Sequence, residues 1–282
     1  MIETSAPTWP GRGLDTVPNG PTATARVEAV VRALTAMRER LGEPQSLRDL
    51  AQAAYLSPFH FHRVFHGVTS VTPGRFLAAV RMAEAKRLLV ETPKTVTEIS
   101  IAVGYSSFGT FTTQFTRLVG VPPGRFRAWA AGTAHLSVDE LLEPLMAHPR
   151  PAGAGPRGWV SSRPDGSAGV TVLGLFRSGI PQDRPIDCVV APAPARVQYG
   201  WVPRGGTGEV LAMSVAARAT VGDVLTGNAR QGLFVGATRE PVPFGEDTGR
   251  EEFLIRLREP RVTAPPVLIA VPLLATEARA AR

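Results

Sequence analysis

Apolar residues in the first half of the chain recur at the spacing of short helices separated by tight turns. Residues 96–103 carry apolar side chains at every third or fourth position, and Gly104 follows them where a helix can end. Residues 107–119 have an apolar i, i+4, i+7 face, before Gly120 and a pair of prolines stop the helix. Two short helices across a glycine-containing turn predict a helix-turn-helix.

The same pattern occurs once before, about fifty residues earlier. Leu47 and Leu50 lie 49 positions ahead of Val96 and Ile99. A longer set lies fifty positions ahead of its counterparts, namely Phe61, Phe65, Val71, Pro73, Gly74, Arg75 and Phe76 before Phe111, Phe115, Val121, Pro123, Gly124, Arg125 and Phe126. The offset changes within the turn, so the second turn is one residue longer. The sequence predicts an all-α, duplicated helix-turn-helix domain over residues 22–131.

Further helices lie before and between the two motifs. An amphipathic helix is expected over residues 22–41. A longer helix is expected over residues 75–90, where ~1.5 Å per residue makes a rod of ~24 Å. Residues 1–21 are rich in Pro, Gly and Thr without apolar periodicity, which predicts a disordered tail, and residues 277–282 predict a polar one.

The pattern changes after the duplicated motif. Residues 132–158 predict a short helix, interrupted at Pro144, and then a Pro/Gly-rich linker over 149–158. Short β-branched and apolar runs then alternate with turn residues at 169–176, 186–191, 197–202, 208–215, 233–237, 252–258 and 267–274. They predict an all-β, sandwich-like domain over residues 159–276, in which only 220–225 indicates a helix.

Length and composition restrict the class of protein. A chain of 282 residues with this many breaks is expected to hold two domains. No run approaches the ~20 apolar residues of a membrane span, and the N-terminus lacks the features of a signal peptide. The single cysteine, Cys188, excludes an internal disulfide and fits a reducing compartment. We therefore expect a cytoplasmic protein with no membrane partner.

Positive charge is concentrated on the duplicated motif. Residues 22–130 contain fourteen basic and seven acidic residues, a net charge of +7 that equals the net charge of the whole chain. Residues 151–282 contain fifteen arginines and twelve acidic residues. Arginine-rich composition alone would spread the excess evenly, whereas phosphate binding requires it on the helical repeat.

Through its two motifs, the segment 22–129 resembles the DNA-binding domain of AraC/XylS-family transcription regulators. The first motif carries LAQAAYLSPFHFHRVF, then PGRF and RMAEAKRLL, and the second carries ISIAVGYSSFGTFTTQF, then GVPPGRFR. The order and the spacing of these motifs also agree with the family. Two positions depart from its pattern: Ser100 stands where Ala is usual, and Ser70 stands where a Gly usually ends the recognition helix.

The resemblance implies two recognition helices that enter adjacent major grooves of double-stranded DNA. It points to Phe59, His62 and Arg63 in the first helix, and to Ser107, Phe108, Gly109, Thr110, Thr112 and Thr113 in the second. Arginines beside the helices are expected at phosphates, where they fix register without reading sequence: Arg75, Arg117, Arg125 and Arg127. Alternatively, each arginine is a solvated surface charge, and the two phenylalanines are partly buried staples.

The two helices differ in the chemistry that they offer to DNA. Arg63 can bind guanine through two hydrogen bonds, and His62 can donate to a base or a phosphate. The second helix offers hydroxyl and methyl groups and has no Arg or Lys before Arg117. We therefore expect the first helix to make the strong base contacts and the second to read thymine methyl groups and DNA shape.

Three features invite other chemistry, but each has a simpler explanation. His62 and His66 lie one helical turn apart, as metal ligands do, but no cysteine or acidic partner is close in sequence. Residues 205–208 are glycine-rich but lack the lysine of a phosphate-binding loop, which favours a hairpin. Cys188 has no histidine in residues 151–282 to activate it, and the same absence excludes a Ser-His-Asp triad confined there. We expect no enzyme, no metal and no cofactor.

Three roles remain open for the β-rich half. In the first, the chain is a one-component transcription activator that works with RNA polymerase, and this half senses a small-molecule effector or contacts a partner. In the second, the half is a small-molecule or protein binding module without a regulatory ligand. Residues 169–215 resemble transthyretin-like or carboxypeptidase-regulatory sandwiches. Tyr199, Trp201 and Arg204 form a candidate ligand-binding group, with the alternative that the two aromatic residues fill a sandwich core. In the third role, the half contains an enzyme active site, which only its size suggests.

Overall fold

The computed structural model describes residues 21–147, 155–176, 185–200, 205–227, 232–244 and 252–268. Its helices are α1 (Pro21–Glu39), α2 (Leu47–Ala53), α3 (Pro58–Thr69), α4 (Pro73–Glu91), α5 (Val96–Ala102), α6 (Phe108–Val119), α7 (Pro123–Thr133), α8 (Val138–Ala147) and α9 (Val221–Thr226). Its strands are β1 (Arg157–Val160), β2 (Gly169–Phe176), β3 (Asp187–Pro192), β4 (Ala195–Gln198), β5 (Gly206–Ala216), β6 (Phe234–Ala237), β7 (Val242–Phe244) and β8 (Glu252–Ile255). The two expected tails lie outside the described residues, apart from residue 21.

Local hydrogen bonds start the first helix of each motif. Ser46 and Asp49 form a reciprocal capping box at α2, and Thr95 and Glu98 form the equivalent box at α5. In each box the carboxylate accepts from the backbone N–H and the hydroxyl of its partner, which lowers the pKa of Asp49 and of Glu98. The boxes satisfy N–H groups that a first helical turn leaves without partners. Their recurrence confirms the duplication that the sequence predicts.

Two prolines explain where the helices differ from their predicted extent. The joining helix is predicted over 75–90, whereas α4 starts at Pro73, because a proline at the first position loses no helical hydrogen bond. Helix α8 runs continuously through Pro144, so the predicted interruption there is wrong. That proline removes a single N–H from a helix of ten residues and leaves the bonds of the other turns in place.

The two helix-turn-helix units have different cores. In the first unit, α1, α2, α3 and the start of α4 enclose a cluster of their own, in which Phe65 and Phe76 meet edge to face at 5.5 Å. In the second unit, Phe115 and Phe126 meet in the same way at 5.7 Å. The second cluster, however, continues into β2, β5 and α9. Among the residues that the structure describes, it is therefore the second unit whose core is shared with the β-rich half.

Two sheets make up the β-rich half, as the sequence predicts at this coarse level. The larger sheet has the order β3-β2-β5-β6, with β7 also paired to β5, and the smaller has the order β4-β1-β8. Val170 and Val172 of β2 join the core of the helical half, whereas Leu173 and Leu175 join a core shared by the two sheets. The larger sheet is thus the middle of three layers. The transthyretin-like arrangement stays a prediction.

Sequence reasoning missed two strands. Strand β1 begins at Arg157, within the stretch interpreted as a linker, and β7 is only three residues long. Gly158 makes β1 resemble a turn in sequence, yet a Cβ at that position would lie 2.4 Å from the carbonyl oxygen of Phe253. The glycine therefore serves the close pairing of β1 with β8 and not a linker. Helix α9 occupies the one segment of this half in which a helix is predicted. Residues 267 and 268 are not in a strand, and the rest of the expected last strand lies outside the described residues.

A continuous seam joins the helical and β-rich halves. The N–H of Val221 donates to the carbonyl of Leu136, and the N–H of Gly222 donates to the carbonyl of Ala134, both at 2.9 Å. Because Ala134 is the C-cap of α7, the first turn of α9 satisfies a carbonyl at the end of α7. A Cβ at Gly222 would lie 3.0 Å from that oxygen, so glycine permits the approach.

A lysine is buried in the same seam. Lys86 of α4 is 3% exposed, and its Nζ lies 3.5 Å from the carbonyl oxygen of Val267. Desolvation lowers the pKa of Lys86 to about 8. At neutral pH the folded protein therefore holds a charge whose hydration has been largely removed, which destabilises it.

Replacing Lys86 with Met removes this charge and keeps an unbranched side chain. We expect Lys86→Met to raise the free energy of unfolding at pH 7 by on the order of 2–3 kcal/mol. The cost of the charge is fully present below the folded pKa of about 8 and disappears as the pH rises toward 10.5, the ordinary value for lysine. Urea unfolding across that range should show wild-type stability rising relative to the variant. The exposed control, Lys94→Met, should show neither effect, and a Lys86→Met protein that is less stable at pH 7 would contradict the interpretation.

Candidate nucleic-acid interface

Helices α3 and α6 are fixed at equivalent places by caps and by buried faces. The hydroxyl of Ser57 accepts from the N–H of His60 at the start of α3, and the hydroxyl of Ser107 accepts from the N–H of Thr110 at the start of α6, both at 3.4 Å. Each helix buries two phenylalanines spaced by four residues, so one face is held in the core. The opposite face of each helix remains on the surface.

The outer face of α3 presents the residues that the family resemblance indicates. Phe59 is 81% exposed, so the alternative of a partly buried staple is wrong for this residue. His62 and Arg63 are exposed, and neither side chain has a protein partner among the residues that the structure describes. Arg75 is exposed at the start of α4. These side chains are available for a ligand outside the protein.

The outer face of α6 is smaller and less polar. Phe108 is 50% exposed, and Gly109, Thr110 and Thr113 are exposed. Thr112 differs, because its hydroxyl oxygen is buried and has no hydrogen-bond partner within the described part of the chain. The Thr112 hydroxyl therefore does not lie on the face that carries Thr110 and Thr113.

The expected phosphate contacts separate into two groups. Arg117 and Arg125 are exposed, as Arg75 is. Arg127 is half-buried, and its guanidinium donates to the carbonyl oxygens of Leu89, at 3.2 Å from Nε, and of Lys94. Arg127 thus ties α7 to the end of α4, which leaves fewer of its N–H groups for a phosphate.

The described residues bring together no alternative site of metal chemistry. They contain no group of three or more His, Cys, Asp or Glu side chains that could hold a metal ion, and the three histidines of α3 form no such group. Within the same residues, no helix combines the length and the apolar character needed to cross a bilayer.

The structure describes one of the three residues in the candidate ligand-binding group of the β-rich half. Tyr199 is completely buried, with its ring 6.3 Å from that of Phe253, and its hydroxyl has no partner among the described residues. Desolvation raises the pKa of Tyr199 well above its usual range. Trp201 and Arg204 lie outside the described residues.

Comparison with known proteins concerns the helical repeat. A family model described as a helix-turn-helix domain matches residues 50–128, from α2 to α7. HTH-type transcriptional regulator Rv1931c of Mycobacterium tuberculosis is 38% identical over 90 residues, which cover 32% of this chain and 35% of that protein. The bifunctional transcriptional activator/DNA repair enzyme AdaA of Bacillus subtilis is 35% identical over 85 residues, which cover 30% of this chain and 40% of that protein. Residues 50–128 are a helix-turn-helix domain.

Solved structures are similar to this chain over little more than a third of its length. The DNA-binding domain of AdpA, a global transcriptional factor crystallised with a target DNA, is 28% identical and covers 37% of this chain and 94% of that one, with a TM-score of 0.36. A transcriptional regulator from Chromobacterium violaceum with an AraC-type DNA-binding domain is 25% identical and covers 38% and 96%, with a TM-score of 0.37. The chain spans little more than a third of the two curated relatives, 35% and 40% of their lengths.

Sequence reasoning missed one residue of the first turn in the helix-turn-helix domain. Tyr55 has φ 57°, a left-handed conformation, and lies 49 positions ahead of Gly104, which has φ 84°. The guanidinium of Arg32 lies 5.2 Å from the Tyr55 ring, and Arg32 also donates to the carbonyl of Ala54. The signal was present in the repeat, because a glycine at the equivalent position indicates a left-handed backbone.

Helices α3 and α6 of the helix-turn-helix domain end with different residues in the same backbone conformation. Ser70 has φ 59° and Gly120 has φ 96°, and each N–H closes the last turn of its helix. A side chain in the left-handed region costs roughly 1–2 kcal/mol, part of which glycine loses again in backbone entropy. We expect Ser70→Gly to raise the free energy of unfolding by about 0.5–1 kcal/mol and Gly120→Ser to lower it by about 1 kcal/mol. Urea titration of both variants checks this, and a destabilised Ser70→Gly protein would show that the Ser70 side chain has a role of its own.

Proposed function

We propose that the chain is a sequence-specific DNA-binding transcription regulator in which α3 and α6 read adjacent major grooves. The observation that carries the proposal is the pair of exposed helix faces, one in each repeat, joined by one buried helix. Helix α4 has 19 residues, a length of ~28 Å at ~1.5 Å per residue. That length is comparable with the ~34 Å between successive major grooves on one side of DNA.

The distribution of charge supports DNA as the partner. The whole net charge of +7 is accounted for by residues 22–130. Arg75 and Arg125 lie exposed in the first turns of α4 and α7, the helices that follow the two readers, and Arg117 lies exposed in the last turn of α6 itself. The positive ends of the α3 and α6 dipoles lie at the same N-terminal turns that carry Phe59 and Phe108. Phosphates on either side of a major groove would be attracted to this surface.

The two readers are proposed to divide the work unevenly. His62 and Arg63 project from α3 without protein partners among the described residues, and Arg63 can bind a guanine through two hydrogen bonds. On α6, Thr110 and Thr113 are exposed while the Thr112 hydroxyl is enclosed. Helix α3 would therefore make most of the base contacts, and α6 would anchor the complex and contact thymine methyl groups.

The β-rich half is proposed to sense an effector or to contact a partner such as RNA polymerase, with activation as the expected outcome. A cleft of about 430 Å³ between β7 and β8 is the proposed ligand site, and its lining includes three arginines, Arg239, Arg256 and Arg258, and two glutamates, Glu240 and Glu252. Guanidinium groups in a cleft of that size suit a carboxylate or a phosphate. Tyr199 would meet a ligand only inside the core of the two sheets. The relatives' names describe regulators, and AdaA's repair activity belongs to a protein matched over 40% of its length.

The central experiment is selection of DNA by the full chain from a randomised duplex library, followed by fluorescence anisotropy on the selected site. Arg63→Ala should weaken binding to that site by roughly 5- to 150-fold, the range of one bidentate arginine–guanine contact, and should relax preference at one base pair. Arg75→Ala should weaken all duplexes alike and reduce the salt dependence by about one phosphate. Thr110→Ala and Thr113→Ala should have smaller effects than His62→Ala and Arg63→Ala.

A matched control separates base contact from loss of charge. Arg26→Ala removes an exposed arginine on α1 that lies outside both readers, and should change affinity by no more than about twofold. Equal affinity of the wild type for every sequence would overturn the proposed function. Larger losses in the threonine variants than in the His62 and Arg63 variants would overturn the division between the readers and leave DNA binding intact.

A further inference from the structure

Arg81 lies near the middle of α4 and reaches the loop that begins the first helix-turn-helix. Its Nε donates to the carbonyl oxygen of Leu41 at 3.2 Å, and one terminal nitrogen donates to the carbonyl oxygen of Glu43 at 2.8 Å. Both carbonyls belong to the loop between α1 and α2. A guanidinium can donate to two carbonyls at once in a fixed geometry, which a lysine ammonium on a flexible stem does less well.

The same side chain lies against the turn of the second helix-turn-helix. The Arg81 guanidinium lies 5.8 Å from the centre of the Tyr105 ring. A Cβ at Gly104 would lie 2.7 Å from an Arg81 nitrogen and 2.9 Å from the Leu41 oxygen. The loop between α1 and α2 therefore lies directly against the turn of the second helix-turn-helix, and Arg81 contacts both.

A second contact confirms how closely the two units approach. A Cβ at Gly42, in the loop that Arg81 binds, would lie 2.9 Å from the carbonyl oxygen of Ala102 at the end of α5. Away from this place the units have separate cores, and α4 is the element common to both.

We propose that Arg81 is a positioning residue for DNA recognition, which fixes the angle between the two helix-turn-helix units and so sets the spacing of the two half-sites that the chain accepts. The inference rests on the proposed function. A joining helix can bend and twist slightly, and a second contact beside it removes that freedom. Desolvation lowers the pKa of Arg81, but the group stays charged at any physiological pH, so both hydrogen bonds are charge-assisted.

The test measures how affinity depends on the distance between half-sites. Duplexes carry the two selected half-sites at the preferred spacing, or with one base pair inserted or deleted, which turns one half-site by about 35° and moves it by ~3.4 Å. The wild type should lose roughly tenfold or more in affinity on each altered duplex. Arg81→Met should reduce that loss to about threefold or less, Arg81→Lys should be intermediate, and all should bind a single half-site equally.

Two further variants test the contact from other positions. Arg87→Met removes an arginine from the same helix that pairs with Glu84 and Glu91, and should keep the wild-type spacing profile. Gly104→Ala places a methyl group 2.7 Å from an Arg81 nitrogen, at a residue with φ 84°, and should flatten the profile as Arg81→Met does. If Arg81→Met does not fold, Arg81→Lys decides.

The outcomes separate this inference from the function on which it rests. A wild type without sequence preference would overturn the proposed function itself. A wild type that binds specifically but tolerates altered spacing, or Arg81 and Gly104 variants that keep the wild-type profile, would overturn the role of Arg81 and leave the regulator intact. A flattened profile in these variants with unchanged single half-site affinity would support it.

Discussion

Helix α4 is the constraint on which the rest of the structure depends, because it is covered on almost every side. Its first half packs into the first helix-turn-helix through Phe76 and Leu77, and its second half packs into the second unit and the β-rich half through Met82 and Leu89. Burying each such side chain contributes about 1.5–3 kcal/mol. A shift of α4 along its axis would disrupt the packing of both cores. Helices α3 and α6 are therefore both positioned by the same rigid helix.

The two readers are nevertheless supported unequally. The first unit closes its own core, whereas the core of the second continues through Val221 and Leu225 of α9 into the larger sheet. Backbone hydrogen bonds from Val221 and Gly222 to the end of α7 reinforce that continuity. On the proposed function, a ligand of the β-rich half would therefore influence α6 before α3, since among the described residues the cluster that contains α6 side chains extends into that half and the cluster that contains α3 side chains does not.

The sequence predicts the helical repeat well because its signals are local. Caps such as Ser46 and Thr95, glycines at helix ends and apolar spacing of three and four are all read within a single turn. The ends of the recognition helices and the exposure of Arg63 follow from those signals. The enclosed hydroxyl of Thr112 and the internal bonds of Arg127 depend on neighbours from other elements, which local spacing does not specify.

The β-rich half was harder to predict because its short strands depend on neighbours from other elements, which local spacing does not specify. Strand β2 is buried on both faces and has a long apolar run, so its bounds are predicted to the residue. Strand β1 is short and contains Gly158, whose purpose appears only when Phe253 of the parallel strand is placed beside it. The seam between the halves could not be predicted from the sequence either. Lys86 has the sequence character of a surface residue on a helix, but in the structure its side chain lies against the carbonyl of Val267.

Comparison of the two turns shows how one backbone conformation can serve different ends. Tyr55 and Gly104 occupy equivalent left-handed positions, but the Tyr55 side chain is 81% exposed and has room to stack with Arg32. Gly104 has no such room, because Arg81 and the Leu41 carbonyl lie where its Cβ would be. A left-handed residue alone would tolerate a side chain at a cost of roughly 1–2 kcal/mol, as Tyr55 does. The glycine of the second turn is thus required by the contact between the repeats, and its place in the sequence marks where the two units meet.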